Sequence, residues 1–485
     1  MATTVHLLSL LFFFLPATSM GGGIGVNWGT LSSHPLPPPK VVAVLQSNNI
    51  SKVKLFDADP LVLESLSGSG INVIVGIPNA MLRPLSSSKK VAESWVHDNI
   101  SRYFSNGGAA AVRIEYIAVG DEPLLQSYGE QFKPFIVGAA TNIQLALIGA
   151  KLANKVKVVI PCNSDIYLSN STLPSKGHFR PDLNKTMTQL LSFLSKHGSP
   201  FVINIYPFLS LHHNKNFSLG YALFRPTAHP LIDGHNTYKN SFDASIDTLV
   251  AALSRVGFAD MDIIVGQIGW PTDGAMNASS IVAQSFMKGL MSHLQSRAGT
   301  PLRPRRPPID TYIFSLLDED RRSIANGNFE RHWGVFTFDG QAKYHVDLGQ
   351  GSRDLANAQN VEYLASKWCV VDNNKDLSNA SASAVEACSV ADCTTLSLGG
   401  SCYTIDWPGN VSYAFNSYYQ QHDQRADSCD FGGLALITIV DPSVGECRFP
   451  VGLRTSLSTS LHGTLHAWWT LFITACISVW SLGFT

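Results

Sequence analysis

Eight short runs rich in Val, Ile and Leu recur before residue 320 of this chain, at 24–28, 53–56, 73–77, 117–120, 156–160, 202–206, 263–266 and 312–317. The stretches between them, such as 241–256, carry apolar residues at helical spacing. Strands that read as continuous apolar runs, alternating with amphipathic helices, belong to parallel sheets covered on both faces. Eight such units close into a (β/α)8 TIM barrel. With 485 residues the chain exceeds the roughly 250–300 residues that one core organises. The expected class is α/β, with the barrel over 22–348, a linker at 349–367 and a small disulfide-rich α+β module at 368–451.

Cysteine placement draws that second boundary. Of the 8 cysteines, Cys369, Cys388, Cys393, Cys402, Cys429 and Cys447 fall in the module, while Cys162 and Cys476 stand apart. Dense cysteines in a small exported domain read as a disulfide framework, because so short a segment builds too little core to fold unaided. Zinc is the alternative reading of clustered cysteines, but no Cys-x-x-Cys pair occurs. No metal and no cofactor are expected.

The termini carry addresses. Residues 7–15 are apolar but too short to span a bilayer, and Ala17-Thr18-Ser19 follows, the pattern of a secretory signal peptide over 1–19; a buried N-terminal helix is the alternative. Glycosylation acceptors at Asn49, Asn99, Asn170, Asn184, Asn216, Asn277, Asn379 and Asn410 suit export. The segment 452–485 ends in an apolar stretch with nothing basic behind it, preceded by small residues around Ser456 and Ser458. That pattern reads as a GPI-anchor signal whose tail is removed, with a tail-anchored helix as the alternative. The expected location is the outer face of the plasma membrane, facing the cell wall. Lys and Arg number 35 against 36 acids, a net charge of -1, so no field draws nucleic acid. A monomer is expected.

In parallel barrels function collects where strands end. Trp28, Asp57, Asp59, Asn79, Asp121, Glu122, Tyr206, Gln267, Trp270, Asp318 and Glu319 follow the candidate strands. Hydrogen-bonding groups, flat rings and carboxylates on one rim are the equipment of a sugar site. Any single Asp or Tyr there is more often a helix cap or a solvated loop residue; convergence of many strand ends carries the reading.

Seven phrases run in order along the chain: Ile24-Gly25-Val26-Asn27-Trp28-Gly29, Val53-Lys54-Leu55-Phe56-Asp57, Val75-Gly76-Ile77-Pro78-Asn79, Val119-Gly120-Asp121-Glu122-Pro123, Asn204-Ile205-Tyr206-Pro207, Gly269-Trp270-Pro271-Thr272 and Glu330-Arg331-His332-Trp333-Gly334. In this it resembles plant glycoside hydrolase family 17, endo-1,3-β-glucanases that retain anomeric configuration. Trp368-Cys369, Cys429-Asp430-Phe431-Gly432-Gly433 and Cys447-Arg448-Phe449-Pro450 resemble the appended carbohydrate-binding module family 43. The resemblance implies bridges Cys369–Cys429, Cys388–Cys393 and Cys402–Cys447, and β-1,3-glucan as the partner. It implies Glu122 as acid/base, with Trp28, Asn79, Asp121, Tyr206, Trp270, Glu319, Arg322 and Glu330 contacting substrate. The nucleophile position is Gln267, an amide where a carboxylate is needed, and Asp121 replaces an asparagine. Arg322 stands where a lysine is usual. Two expectations follow. One is hydrolysis with the missing anion made good by deamidation, by Glu319 or Glu330, or by direct attack of water. The other is a non-hydrolytic glucan-binding protein of the wall.

Overall fold

The computed structural model describes residues 23–104, 111–169, 171–226 and 229–454. The expected signal peptide, Asn170, the anchor positions Ser456 and Ser458, and the apolar tail with Cys476 lie outside the described residues.

Nine strands build the sheet: β1 Gly23–Trp28, β2 Lys52–Leu55, β3 Asn72–Ile77, β4 Arg113–Val119, β5 Lys157–Val159, β6 Pro161–Asn163, β7 Phe201–Asn204, β8 Ile263–Ile268 and β9 Asp310–Ile313. Their order is β5-β4-β3-β2-β1-β9-β8-β7-β6, every pairing parallel. The fifth run, 156–160, supplies only β5, which pairs with β4; beyond Ile160 a further strand, β6, pairs with β7. Pro161 has no N–H to continue a ladder, and its position opens the seam. The ring is a nearly closed TIM-like barrel.

Successive side chains on a strand face opposite ways, so the barrel has two cores. Ile74, Ala118, Val159, Val202, Ile264 and Tyr312 fill its interior. The outward-facing residues, such as Val73, Val75 and Val265, pack with Leu45, Leu249, Phe286 and Leu290 of the surrounding helices. Local chemistry starts those helices. Asp59 accepts from the N–H groups of Leu61 and Val62 at 2.7 and 3.2 Å, with Pro60 opening the helix Pro60–Leu66; such a cap contributes about 1 kcal/mol. Asp59 is therefore a structural cap.

In the module, the antiparallel pair β10 Trp368–Val371 and β11 Ala435–Thr438 packs with the helices Ala380–Val390 and Gly409–Gln421. Bridges join Cys369 to Cys429, Cys388 to Cys393 and Cys402 to Cys447, the pairs the resemblance implies. Cys162 is a buried free thiol in the outer barrel core.

Residues 349–367 are fastened down. Leu355 and Ala358 join the outer barrel core, Asn48 exchanges hydrogen bonds with Ala356 at 3.0 and 2.8 Å, and the Leu364 N–H donates to Gly452 at 2.9 Å. Module and barrel also meet through Arg331–Asp392 at 3.1 Å, His34–Asp423 at 3.0 Å and His332–Thr394 at 2.6 Å. Gly399 sits at φ +84, where a Cβ would lie 2.5 Å from the Ala275 backbone, so the approach of the module requires glycine there. Among the acceptors for glycosylation, Asn49, Asn184, Asn216, Asn277 and Asn379 are exposed, and Asn99 and Asn410 are half-buried. Among the described residues no helix is long and apolar enough to cross a membrane.

Candidate active site

Glu122 follows β4 with φ +49, a left-handed conformation that costs a non-glycine residue energy and concentrates at functional positions. Its N–H donates to the Pro161 carbonyl at 3.1 Å and its own carbonyl accepts from Leu125 at 3.0 Å. The split between β5 and β6 thus supplies the acceptor that fixes the turn. Oε1 of Glu122 accepts from Asn204 Nδ2 at 2.8 Å and from the Tyr206 hydroxyl at 3.5 Å. Burial, and then the Asp121 charge, push its carboxyl up to about 7, against the opposing pull of Asn204, Asn163 and Lys54. A carboxyl held there keeps its proton in a large share of molecules near neutral pH and has one to give.

Gln267 reaches the same pocket from β8. Pairing of β8 shifts register at Gly266 against both neighbours, and a bulge of this kind re-aims the next side chain. A Cβ on Gly266 would meet Asn204 Oδ1 at 2.7 Å, so only glycine fits the bulge. Gln267 is buried; its Oε1 accepts from the Tyr206 hydroxyl, and its Nε2 donates to Asp121 Oδ1 at 3.0 Å. Burial holds Tyr206 well above the ordinary phenol range, so it stays a donor. Lys54, 1% exposed, completes the cluster with an ion pair to the same Asp121 oxygen at 3.1 Å. Asn79 orients Asp121 by exchanging two hydrogen bonds with its backbone at 2.8 and 2.9 Å.

A second charged group lies beside this one. Arg322 bridges Glu319 at 3.4 Å and Glu330 at 3.3 Å and stacks over Phe314 at 4.7 Å. Glu319 also accepts from the Leu31 N–H at 2.8 Å, and Glu330 from Trp333 Nε1 at 3.2 Å. Burial raises the Glu319 carboxyl in spite of Arg322. Both acids are committed to structural partners. Trp333 and Phe314 pack edge-on to Tyr206, centroids 5.6 and 6.1 Å away. Trp28 and Glu319 line an open groove that runs on past Asp59.

One expected contact residue is elsewhere. Trp270 is fully buried, its indole N–H donating to the Asn277 carbonyl at 2.8 Å and its ring packed on Phe208 and Phe286. It braces the turn after β8 from behind and presents no face to the cleft. Asp318 is tied to Lys343 at 2.7 Å, and Asp57 accepts from the Asp59 N–H. Lys54, Asn163 and Asn204 were missed as site residues; Lys54 and Asn204 carried a signal, each a polar residue within an apolar run of the sequence, whereas Asn163 lies beyond the fifth run. Among the described residues no cluster could hold a metal ion.

Residues 24–348 match the sequence pattern of Glycosyl hydrolases family 17, and residues 367–436 match the X8 domain. The chain belongs to glycosyl hydrolase family 17. This family 17 chain is 61% identical over 456 residues to Glucan endo-1,3-beta-glucosidase 9 of Arabidopsis thaliana, covering 94% of each chain. It is 47% identical to Glucan endo-1,3-beta-glucosidase 5 of the same plant, covering 89% of each. Among solved structures it is similar to CJP38, a beta-1,3-glucanase and allergen of Cryptomeria japonica pollen, with 37% identity and a TM-score of 0.63 over 67% of this chain and 99% of that one. The similar structure spans the barrel's share of the chain.

Proposed function

We propose that this chain is a cell-surface hydrolase of internal β-1,3-glucosidic bonds in callose-like glucan, with Glu122 as its general acid. The observation that carries the reading is the Glu122 carboxyl itself. It is half-buried, raised to about 7 so that a large share keeps its proton near neutral pH, and hydrogen-bonded to Asn204 and Tyr206. Its proton passes to the glycosidic oxygen as the bond to the anomeric carbon breaks, and the carboxylate left behind takes a proton from the incoming water. The names of the relatives support the substrate class. Trp28, Tyr206, Glu319, Arg322 and Glu330 shape the groove for a glucan chain, and the X8 module adds a second grip on the polymer.

The test is release of reducing ends from linear β-1,3-glucan by the purified full-length protein beside Glu122→Gln. Release that depends on Glu122 supports the reading; equal release by both contradicts it. A specific observation favours a second reading. Gln267 is neutral, so the cleft has no carboxylate at the nucleophile position, and a glucan-binding protein without turnover fits that chemistry. Tight oligosaccharide binding without reducing-end release would establish it.

The apolar end without basic residues supports attachment to the outer leaflet by a glycolipid near Ser456 or Ser458. Phosphatidylinositol-specific phospholipase then releases the protein from membranes, whereas a mature form that retains Trp468 and Trp469 contradicts the anchor.

A further inference from the structure

Hydrolysis through Glu122 leaves one requirement unmet. As the glycosidic bond breaks, positive charge builds on the anomeric carbon and ring oxygen, and an anion on the opposite side must offset it. Glu122 is the proton donor and is neutral. Glu319 and Glu330 share the single guanidinium of Arg322 and are further bonded to Leu31 and Trp333. Asp318 is neutralised by Lys343. Asp121 is ion-paired as well, to Lys54 at 3.1 Å, but it is the most exposed of these acids. Its side chain is about a third exposed, at 35%. Its Oδ1 accepts from both the Gln267 amide and the Lys54 ammonium, the hydrogen bonding of an ionised carboxylate. Through Gln267 and Tyr206 it is held in one connected cluster with Glu122. Glu122, whose carboxyl is raised by burial, and Asp121, whose oxygen accepts from an ammonium and an amide, are fitted to separate roles as acid and anion.

We propose that Asp121 is the catalytic anion of this cleft, doing from the end of β4 what the neutral Gln267 on β8 cannot. The proposal rests on the hydrolase reading above. The Glu122 proton goes to the leaving oxygen, which departs with the bonding electron pair. The carboxylate of Asp121 stabilises the resulting glycosyl cation without bonding to it. Water adds to the anomeric carbon on the vacated face and its proton returns to Glu122, so the protein ends as it began and one water is consumed per bond. Gln267 serves as the positioning residue, its amide holding Asp121 and its carbonyl holding Tyr206.

The test compares wild type, Asp121→Asn, Gln267→Glu and the double exchange Asp121→Asn/Gln267→Glu in the full-length protein. Rates are read as reducing ends from linear β-1,3-glucan, affinity as laminarihexaose binding by calorimetry, and integrity by thermal unfolding. Asp121→Asn, nearly isosteric, is expected to lower kcat at least a hundredfold with affinity held, while unfolding shifts to lower temperature because buried Lys54 loses its ion-pair partner. The double exchange, which returns the anion at the other end of the same hydrogen bond, is expected to recover most of the loss. An Asp121→Asn variant as fast as wild type overturns the proposal, and so does a double exchange as slow as the single one. If wild type shows no Glu122-dependent release, the hydrolase reading fails and the proposal with it; if release depends on Glu122 but not on Asp121, the proposal alone fails.

Discussion

Gln267 donates its side-chain amide to Oδ1 of Asp121 across 3.0 Å, joining the end of β8 to the end of β4 over the barrel mouth. The family motif leads one to expect a carboxylate at 267 and an amide at 121. The structure keeps one of each, exchanged in position, and hydrogen-bonds them beside Glu122.

Two carboxylates at that distance cannot both ionise cheaply. Gln267→Glu on its own is therefore expected to destabilise the fold by about 1–3 kcal/mol at pH 8. Most of that loss should vanish near pH 4, where a carboxyl kept neutral by its neighbour carries its proton in folded and unfolded chain alike. Adding Asp121→Asn should remove the penalty at pH 8. Denaturant melts of the four proteins give the coupling directly; additive losses would show that the two side chains do not interact.

Activity should fall as pH rises through about 7. The Glu122 carboxyl is raised to that range chiefly by burial and then by Asp121, so its acid form predominates below pH 7 and is lost above it. The expected profile of kcat/KM has its alkaline limb near 7. A limb near the ordinary carboxyl value would mean that water reaches Glu122 freely.

The strands were legible because a barrel strand, buried on both faces, must be a short β-branched run. The ends of those strands placed Glu122, Asp121, Tyr206 and Gln267 in one region for the same reason. The further strand β6 was not legible, since the fifth apolar run ends at Ile160 and only pairing with β7 reveals what lies beyond it. Trp270 illustrates a further limit. A ring in a Gly-Trp-Pro turn faces either the cleft or the helices behind it, and the packing of Phe208 and Phe286 decides, which spacing does not encode. The linker 349–367 reads as a polar spacer, yet Leu355 and Ala358 seat it on the barrel.

That seating couples the two domains. Arg331 and Asp392 pair at 3.1 Å, Arg331 also donates to the Arg322 carbonyl at 3.1 Å, and His332 beside it meets Thr394. The loop that holds Glu330 and Trp333 is thus clamped from the module side. Asp392→Ala is expected to cost about 1–3 kcal/mol, because it strands a largely buried guanidinium, and hydrogen exchange should quicken at 328–333. Unchanged exchange there would show that the module merely hangs from the barrel.

The leaving group separates the two roles most directly. An aryl β-laminaribioside with a 2,4-dinitrophenyl leaving group departs without needing a proton, so a missing general acid matters little for it, whereas a missing anion matters as much as before. On this substrate Glu122→Gln is expected to retain kcat within about tenfold of wild type while Asp121→Asn stays at least a hundredfold down. If Glu122→Gln is crippled and Asp121→Asn is spared, the assignment of acid to Glu122 and anion to Asp121 is contradicted.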